Sequence, residues 1–261
     1  MYQSINLQKK SPQITYIYQV NKNLLSRREF IITGIALGIY TCRTEKSLLT
    51  DNQRIAFIGD SITFQGGYVK NLQLELAKKG DFEVFNFGKS SETLSGLSEA
   101  DHPFPRPVLF ERLDNILSTT RPDITFLYYG INDGIYSPFD QKRFDAYKSG
   151  LDKAIKIIPE SGSQLVLLTP SPYVGDNKVS NEGLPLDKYS YQNPYCHYNE
   201  EVISIYAEYI LQLEDKRLSK IIDIYHPLLK NKATAFNSDP IHPNTIGHKI
   251  ISDTIQQELN I

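Results

Sequence analysis

Four short motifs carry residue types that together could perform acyl transfer. The first, Gly59-Asp60-Ser61-Ile62-Thr63, directly follows the apolar run Arg54–Ile58. A serine at a strand-to-helix turn presents its hydroxyl at the edge of a sheet, and the helix N-terminus behind it favours developing negative charge. Ser61 is therefore a candidate nucleophile, although Gly-Asp-Ser in isolation is also an ordinary turn.

Two further motifs could supply hydrogen-bond donors to a developing oxyanion. Asn86-Phe87-Gly88 and Gly130-Ile131-Asn132-Asp133 each end a predicted strand. Acyl transfer needs donors that point at the oxygen on which negative charge develops. The backbone N–H groups of Gly88 and Ser61 and the side-chain amide of Asn132 could converge on that oxygen, whereas each motif alone is also typical of a simple turn.

The fourth motif, Asp239-Pro240-Ile241-His242-Pro243, could supply a base and the acid that orients it. A catalytic imidazole needs a third group that holds the ring and stabilises its protonated form. Two residues separate Asp239 from His242, so both can lie on one loop while the other ring nitrogen reaches Ser61. The alternative is a helix N-terminal turn with a surface histidine.

The chain from Arg54 onward alternates apolar runs with amphipathic stretches, which is typical of βαβ units around a parallel sheet. We predict five strands, at Arg54–Ile58, Phe82–Phe87, Asp123–Tyr129, Gln164–Leu168 and Lys220–Ile224. We predict helices at Tyr68–Lys79, Val108–Leu117, Asp140–Ile158, His197–Leu213 and Thr245–Leu259. The sequence thus predicts an α/β fold, a three-layer α/β/α sandwich with a five-stranded parallel, flavodoxin-like sheet. Ligands bind beyond the carboxyl ends of the strands in such sheets.

The order of the four motifs resembles that of the SGNH (GDSL-type) hydrolases, whose sequence blocks carry Ser, Gly, Asn and His in turn. The matching residues are Ser61, Gly88, Asn132 and His242, and the resemblance covers about residues 53–260. It implies an SGNH hydrolase fold and a serine esterase without a metal or another cofactor. It also implies Ser61 as the nucleophile, His242 as the base and Asp239 as the orienting acid. The oxyanion hole implied by the resemblance consists of Ser61, Gly88 and Asn132.

Two loops near the predicted site do not follow from the family pattern. Many members have a second glycine three residues after the first in the second block, where this chain has Ser91. The loop after Gly88 is therefore expected to differ in shape. The proline-spaced loop Asp101–Pro107 is predicted either to wall the pocket, with Arg106 meeting an acidic group, or to be a rigid connection.

Residues 1–50 are predicted to be an export-signal-like segment of the twin-arginine type, ahead of a hydrolase domain at residues 51–261. Ser26-Arg27-Arg28-Glu29-Phe30 resembles a twin-arginine signal, and the apolar stretch Ile31–Tyr40 is too short for a stable membrane span. We therefore expect export to the periplasm or cell envelope. Two alternatives stay open, with Cys42 as a lipid acceptor or the segment as a hairpin or helix packed on the domain.

Composition excludes several classes of partner. The 28 basic and 30 acidic residues give a net charge of −2, so no strong field attracts nucleic acid or an anionic membrane. Cys42 and Cys196 are the only cysteines, and no Cys/His group has zinc spacing, so a structural metal is not expected. A disulfide between the two cysteines stays open, and the sequence does not predict the oligomeric state.

Three features favour a carbohydrate ester as the substrate: the export signal, the lack of a broad apolar lid-like segment, and the tyrosine-rich loop Leu184–Tyr198. Its tyrosines Tyr189, Tyr191, Tyr195 and Tyr198 could stack on a sugar, and the alternative is an ordinary surface loop. We therefore predict hydrolysis of short acyl esters, chiefly O-acetyl, through an acyl-enzyme. The alternatives are a lipid-directed esterase or lysophospholipase, and a catalytically inactive glycan-binding module.

Overall fold

A five-stranded parallel sheet forms the centre of the computed structural model, which describes residues 48–175 and 180–261. The strands are β1 (Gln53–Gly59), β2 (Phe82–Gly88), β3 (Ile124–Tyr128), β4 (Gln164–Leu168) and β5 (Leu218–Ile222). They lie in the order β2-β1-β3-β4-β5, and each neighbouring pair is parallel. This topology confirms the predicted α/β architecture. Most of the predicted export segment, including Cys42, lies outside the described residues, so the boundary at residue 50 stays a prediction.

Helices connect the strands and flank the sheet. They are α1 (Ser61–Gln65), α2 (Gly67–Leu76), α3 (Leu113–Thr120), α4 (Gln141–Glu160), α5 (Ser204–Leu211), α6 (Tyr225–Lys230), α7 (Lys232–Ala235) and α8 (Thr245–Leu259). Short 3-10 turns occur at Leu109–Glu111 and Leu186–Lys188, and a π-helical turn at Asn199–Ile203 leads into α5. Among the described residues, none of the helices has both the length and the apolar character needed to cross a bilayer.

Alternating side chains of the strands pack against helices on the two faces of the sheet. The helices α2 and α8 cover one face, where the buried side chains include Phe57, Leu72, Phe126 and Ile255. The helices α4 and α5 cover the other face, where the buried side chains include Leu127, Leu151, Leu167 and Ile210. Such two-sided burial is the reason why the strands have nearly continuous apolar sequences.

The carboxyl ends of four strands lie in line along one edge of the sheet. Gly59 pairs with both Gly88 and Tyr128, and Tyr128 pairs with Leu168. The segments that follow β1, β2, β3 and β4 therefore emerge side by side, at the edge where such sheets bind their ligands.

Several predicted bounds differ from the structure, and contacts of the chain explain two of the differences. The last strand is not Lys220–Ile224 but Leu218–Ile222, because the N–H groups of Ile224 and Tyr225 donate to the hydroxyl of Thr169 at 2.8 and 2.9 Å and leave the sheet.

The predicted helix Val108–Leu117 is interrupted at Arg112, which has a φ of −132° and separates a 3-10 turn from α3. The guanidinium of Arg112 donates to the carboxylate of Glu92 and, at 2.7 Å, to the carbonyl of Phe87. These bonds anchor the chain at the point where the helix is broken.

The end of β2 lies directly against α1. A Cβ atom on Gly88 would lie 2.0 Å from the backbone nitrogen of Phe64 and 2.4 Å from its Cα. No side-chain rotation could relieve this collision, because both atoms belong to the backbone. Gly88 is therefore required for the close approach of β2 and α1.

We predict that Gly88→Ala lowers the free energy of unfolding by about 3 kcal/mol, because β2 and α1 must separate to admit the methyl group. Urea unfolding followed by circular dichroism measures this. The matched control is Gly183→Ala, where φ is 73° but no atom lies within 4 Å of an added Cβ. The control is expected to cost about 1 kcal/mol for backbone conformation alone. Equal losses in the two variants would show that the collision is not the cause.

Candidate active site

Ser61 lies at the start of α1, immediately after β1. The carboxylate of Asp60 caps this helix by accepting the N–H of Ile62 at 2.9 Å. The first N–H groups of a helix have no intrahelical acceptor. The hydroxyl and the backbone N–H of Ser61 are therefore both presented at the carboxyl edge of the sheet.

Ser61, His242 and Asp239 form a continuous chain of hydrogen bonds. The Nε2 atom of His242 lies 2.8 Å from Oγ of Ser61, and its Nδ1 atom lies 2.7 Å from Oδ2 of Asp239. An ionised carboxylate only accepts hydrogen bonds, so Nδ1 carries the hydrogen and Nε2 accepts the Ser61 hydroxyl. The structure thus brings together three predicted site residues from distant parts of the chain.

The carboxyl group of Asp239 is held by its own loop. Its Oδ1 atom accepts the N–H groups of Ile241 at 2.9 Å and of His242 at 3.1 Å. Partial burial raises the pKa of Asp239, but these N–H groups and the His242 ring lower it by more, so the net pKa lies below its usual value. Asp239 is therefore ionised and can stabilise a protonated imidazole.

A second Asp-x-x-His pair has the same local geometry. Nδ1 of His226 lies 2.8 Å from Oδ2 of Asp223, and the N–H of His226 donates to Oδ1 at 3.1 Å. The other ring nitrogen of His226 faces Glu208 at 3.8 Å. The Asp-x-x-His spacing alone therefore does not identify a catalytic pair, and it is the contact with Ser61 that distinguishes His242.

Asn132 lies in the turn after β3 and is buried, with its amide fixed at both ends. Its Nδ2 atom donates to the carbonyl of Glu92 at 3.2 Å, and its Oδ1 atom accepts the hydroxyl of Tyr136 at 2.9 Å. An amide nitrogen carries two hydrogens. The second amide hydrogen can therefore donate into the cavity, which Asn132 lines.

The structure does not bring Gly88 to this group, in contrast to the prediction. Its N–H donates to Oδ1 of Asn86 at 2.8 Å, and it does not line the cavity. A backbone N–H that is already bonded to a side chain is a poor oxyanion donor. The need for glycine at position 88 is explained by its close contact with α1.

Ser91, three residues later, lines the cavity instead. Its φ is 64°, in the left-handed region that glycine favours, and within the described residues no protein acceptor bonds its N–H. The N–H of Ser91 is thus available to a group in the cavity, a position that the sequence did not single out as a donor. The signal was present, because this is the position where many SGNH members have their second glycine.

A cavity of about 470 Å³ opens beside Ser61 and His242. Its other walls include Phe104, Arg106 and Tyr191. The loop Asp101–Pro107 therefore walls the pocket, which was one of its two predicted roles.

Arg106 meets an acidic group inside the protein. Its guanidinium donates two hydrogen bonds to the carboxylate of Glu99, at 2.5 and 2.6 Å, and both side chains are only 2% exposed. The guanidinium also lies over the ring of Tyr136, 5.5 Å from its centre. The positive charge at this wall is therefore already neutralised.

Three of the four tyrosines proposed as a sugar-binding surface belong to the core. Tyr189, Tyr195 and Tyr198 are buried, and the hydroxyl of Tyr198 donates to the carbonyl of Ile131 at 2.8 Å. The prediction of an exposed surface is wrong for these three. Of these four tyrosines, only Tyr191 lines the cavity.

Two buried carboxyl groups near the site have raised pKa values. Burial raises the pKa of Asp60 to about 7, with a smaller contribution from repulsion by Asp133, against the lowering effect of the Ile62 N–H. Burial likewise raises the pKa of Asp133 to about 6, although the N–H groups of Ser95 and Leu94 lower it. Protonation of these groups is therefore expected to change near neutral pH.

Within residues 48–175 and 180–261, a group with potential metal ligands occurs on the surface and not at the cavity. Atoms of Glu182, Cys196 and His197 lie within 4.8 Å of one another. An ordinary contact accounts for two of them, because Nε2 of His197 lies 2.9 Å from the Glu182 carboxylate. Cys196 is a free cysteine.

A comparison with protein families matches most of the chain. The GDSL-like lipase/acylhydrolase family model matches residues 57–250. The chain belongs to this family. It is therefore a carboxylic ester hydrolase, and the predicted resemblance to SGNH (GDSL-type) hydrolases is confirmed. Among curated proteins, none matches the chain.

Solved structures with a similar fold include several enzymes. Axe2, an acetylxylan esterase from Geobacillus stearothermophilus, is 21% identical with a TM-score of 0.59, over 81% of this hydrolase and 95% of Axe2. A gut microbial diltiazem-metabolizing enzyme is 20% identical with a TM-score of 0.60, over 81% and 48% of the two chains. The psychrotrophic esterase EstA from Pseudoalteromonas sp. is 18% identical with a TM-score of 0.50, over 80% and 100%. At such identities the likeness shows the shared fold.

We predict that Asp60→Asn stabilises this hydrolase more at about pH 8 than at about pH 5. The pKa of Asp60 is about 7 in the folded protein against its ordinary value of 3.8, so between these values the native state binds the extra proton. The free energy of unfolding then falls as pH rises, by up to about 4 kcal/mol. Asparagine keeps the capping oxygen and removes the charge.

Urea unfolding at both pH values measures the difference. Asp187→Asn, at an exposed carboxyl in a surface turn, is the matched control and should follow the wild type. A parallel loss of stability in wild type and Asp60→Asn would disprove the prediction.

Proposed function

We propose that this hydrolase is a serine esterase that removes short acyl groups, chiefly O-acetyl groups, from a carbohydrate. The observation that carries the proposal is the hydrogen-bonded chain from the Ser61 hydroxyl through His242 to Asp239 beside the cavity. A serine hydroxyl is a weak nucleophile until an adjacent base takes its proton.

In the acylation step, Nε2 of His242 takes the proton of Ser61 as Oγ attacks the carbonyl carbon of the ester. Asp239 holds the ring by its Nδ1 hydrogen and stabilises the imidazolium. When the tetrahedral intermediate collapses, the bond to the alcohol oxygen breaks and Nε2 gives that oxygen its proton. The sugar leaves as a free alcohol, and the acyl group stays on Ser61.

In the deacylation step, water enters the place that the alcohol has left. Nε2 of His242 takes a proton from this water, whose oxygen attacks the acyl carbonyl. Collapse of the second intermediate releases the carboxylic acid, and the proton on Nε2 returns to Ser61 Oγ. Each step uses side chains of this protein and water alone.

Three donors are proposed to stabilise the oxyanion of both intermediates: the backbone N–H groups of Ser61 and Ser91 and the side-chain amide of Asn132. Support comes from their common position at the cavity and from the anchored amide of Asn132. Donors held in place before the reaction need no reorganisation when charge develops.

The aromatic side chains of the cavity wall support the proposal of a carbohydrate substrate. Phe104 is 50% exposed there, beside His102 and Tyr191, and aromatic faces of this kind can pack against a sugar ring. Axe2, which shares the fold, is an acetylxylan esterase. Acetylated xylo-oligosaccharides are therefore the first glycan to test.

A lipid-directed esterase is the second candidate. The observation in its favour is Phe64, which lines the cavity and is 64% exposed. Together with Phe104 it gives the cavity an apolar border that a long acyl chain could also contact.

We predict that Ser61→Ala and His242→Gln each lower kcat for p-nitrophenyl acetate by at least about a thousandfold, because either change disables the nucleophile. The matched control is His226→Gln, which removes a histidine from the same local motif away from the cavity and should retain wild-type kcat. Inactive wild type would favour the glycan-binding module, and an active Ser61→Ala variant would disprove the assignment of the nucleophile.

The same proteins decide the substrate class. We expect the wild type to release acetate from acetylated xylo-oligosaccharides and to cleave p-nitrophenyl esters less well as the acyl chain lengthens. Preferential cleavage of long-chain lipid esters, with acetylated oligosaccharides left untouched, would favour the lipid-directed alternative.

We also propose that the twin-arginine-like segment within residues 1–50 directs export. Its support is the sequence pattern alone, since this segment lies almost entirely outside the described residues. Replacement of Arg27 and Arg28 by lysine is expected to keep the protein in the cytoplasm, as measured by cell fractionation. Unchanged export would contradict the proposal.

A further inference from the structure

Ser91 has a backbone conformation that its side chain does not favour. Its φ of 64° lies in the left-handed region, where an L-residue with a Cβ atom is disfavoured relative to glycine. Such a conformation persists only where the surroundings enforce it. The loop Asp101–Pro107 supplies two contacts that do so.

The first contact is a hydrogen bond to the side chain of Ser91, and the second is one to its carbonyl oxygen. Nε2 of His102 lies 3.2 Å from the Ser91 hydroxyl, and Nη1 of Arg106 donates to the Ser91 carbonyl at 3.3 Å. The same loop thus holds Ser91 at two points.

The tautomer of His102 follows from its other neighbour. Nδ1 of His102 lies 2.5 Å from the carbonyl oxygen of Phe104, which only accepts, so Nδ1 carries the hydrogen. In the neutral ring Nε2 is then an acceptor, and the hydroxyl of Ser91 donates to it. This bond holds the Ser91 hydroxyl in one place and so resists rotation of the Ser91 backbone.

The imidazole of His102 is itself held in place. Its ring packs edge-on against Phe104, with centres 4.6 Å apart, and at a tilt of 58° against Tyr191, with centres 5.4 Å apart. Pro103 and Pro105 restrict the backbone on either side of Phe104. The ring can therefore act as a fixed point for a flexible neighbour.

We propose that His102 is a positioning residue that holds Ser91 in the left-handed conformation, so that the Ser91 N–H points at the oxyanion. The inference rests on the proposed serine esterase function, since it needs an oxyanion. His102 and Arg106 would thereby stabilise the left-handed conformation of Ser91 from a different loop. A glycine at position 91 would adopt this conformation through its own backbone freedom.

The test is a pair of substitutions in two backgrounds. His102→Phe keeps the ring packing with Phe104 and Tyr191 but removes both nitrogens, and it is expected to lower kcat for p-nitrophenyl acetate about tenfold with little change in KM. This is less than the loss of a whole donor, about a hundredfold or more. His102→Gln, whose amide oxygen can accept the Ser91 hydroxyl, is expected to restore part of the loss.

The Ser91→Gly background provides the decisive comparison. Glycine keeps the N–H and needs no brace, so His102→Phe in that background is expected to change kcat by less than about threefold. Equal losses in both backgrounds would overturn the proposal, as would a His102→Phe variant with wild-type kcat. His226→Phe is the matched control for the loss of a histidine ring, and thermal unfolding verifies that each variant is folded.

Failure of the proposed function gives a different result. In that case the wild type itself is inactive, or Ser61→Ala is as active as the wild type. A change in KM alone after His102→Phe would place His102 in substrate binding and would also overturn its role as a brace for Ser91.

Discussion

The polar groups of Ser61, Ser91 and Asn132 meet at the cavity because of one constraint, the in-register ends of the parallel strands β2, β1 and β3. Gly59 pairs with Gly88 across the first two, so the segments after them start side by side. Ser61 and Asn132 follow β1 and β3 at the same edge. A slip of one residue along a strand moves its end by about 3.3 Å, more than the length of a hydrogen bond. The register of the sheet therefore determines whether the donors and the hydroxyl can meet.

A layer of buried charge behind the cavity keeps its polar groups still. Glu92 has no exposed surface, and its carboxylate accepts hydrogen bonds from Arg112 and from the hydroxyl of Tyr129. Its carbonyl oxygen accepts the amide of Asn132. Removal of one partner from such a network leaves a buried charge unpaired, which is strongly destabilising. The network thus holds the side-chain amide of Asn132 in one orientation, but every buried charge in it must have a partner.

The sequence predicted those parts of the site that depend on local pattern and chain order. Apolar runs placed the strands, and the motifs placed Ser61, Asn132 and His242. Gly88 was predicted as a donor, but its N–H is bonded to Asn86. Whether Gly88 or Ser91 offers a free N–H depends on a dihedral angle and on one side-chain hydrogen bond, which composition does not encode. The prediction of an exposed tyrosine surface was wrong for another reason. An aromatic residue with a polar tip suits a solvated surface and a hydrogen-bonded core equally well. A second Asp-x-x-His pair shows that spacing without tertiary contact is insufficient.

The hydrogen-bonded residues Ser61 and His242 are 181 positions apart in the chain. His242 precedes α8, and α8 packs beside α2, which follows Ser61. Contacts between such distant segments carry a high loop-closure entropy and contribute most to a slow folding topology. A chain that has formed its sheet but has not docked α8 therefore contains Ser61 without its contact to His242. Under the proposed mechanism such a chain cannot hydrolyse an ester, so esterase activity reports the completion of folding.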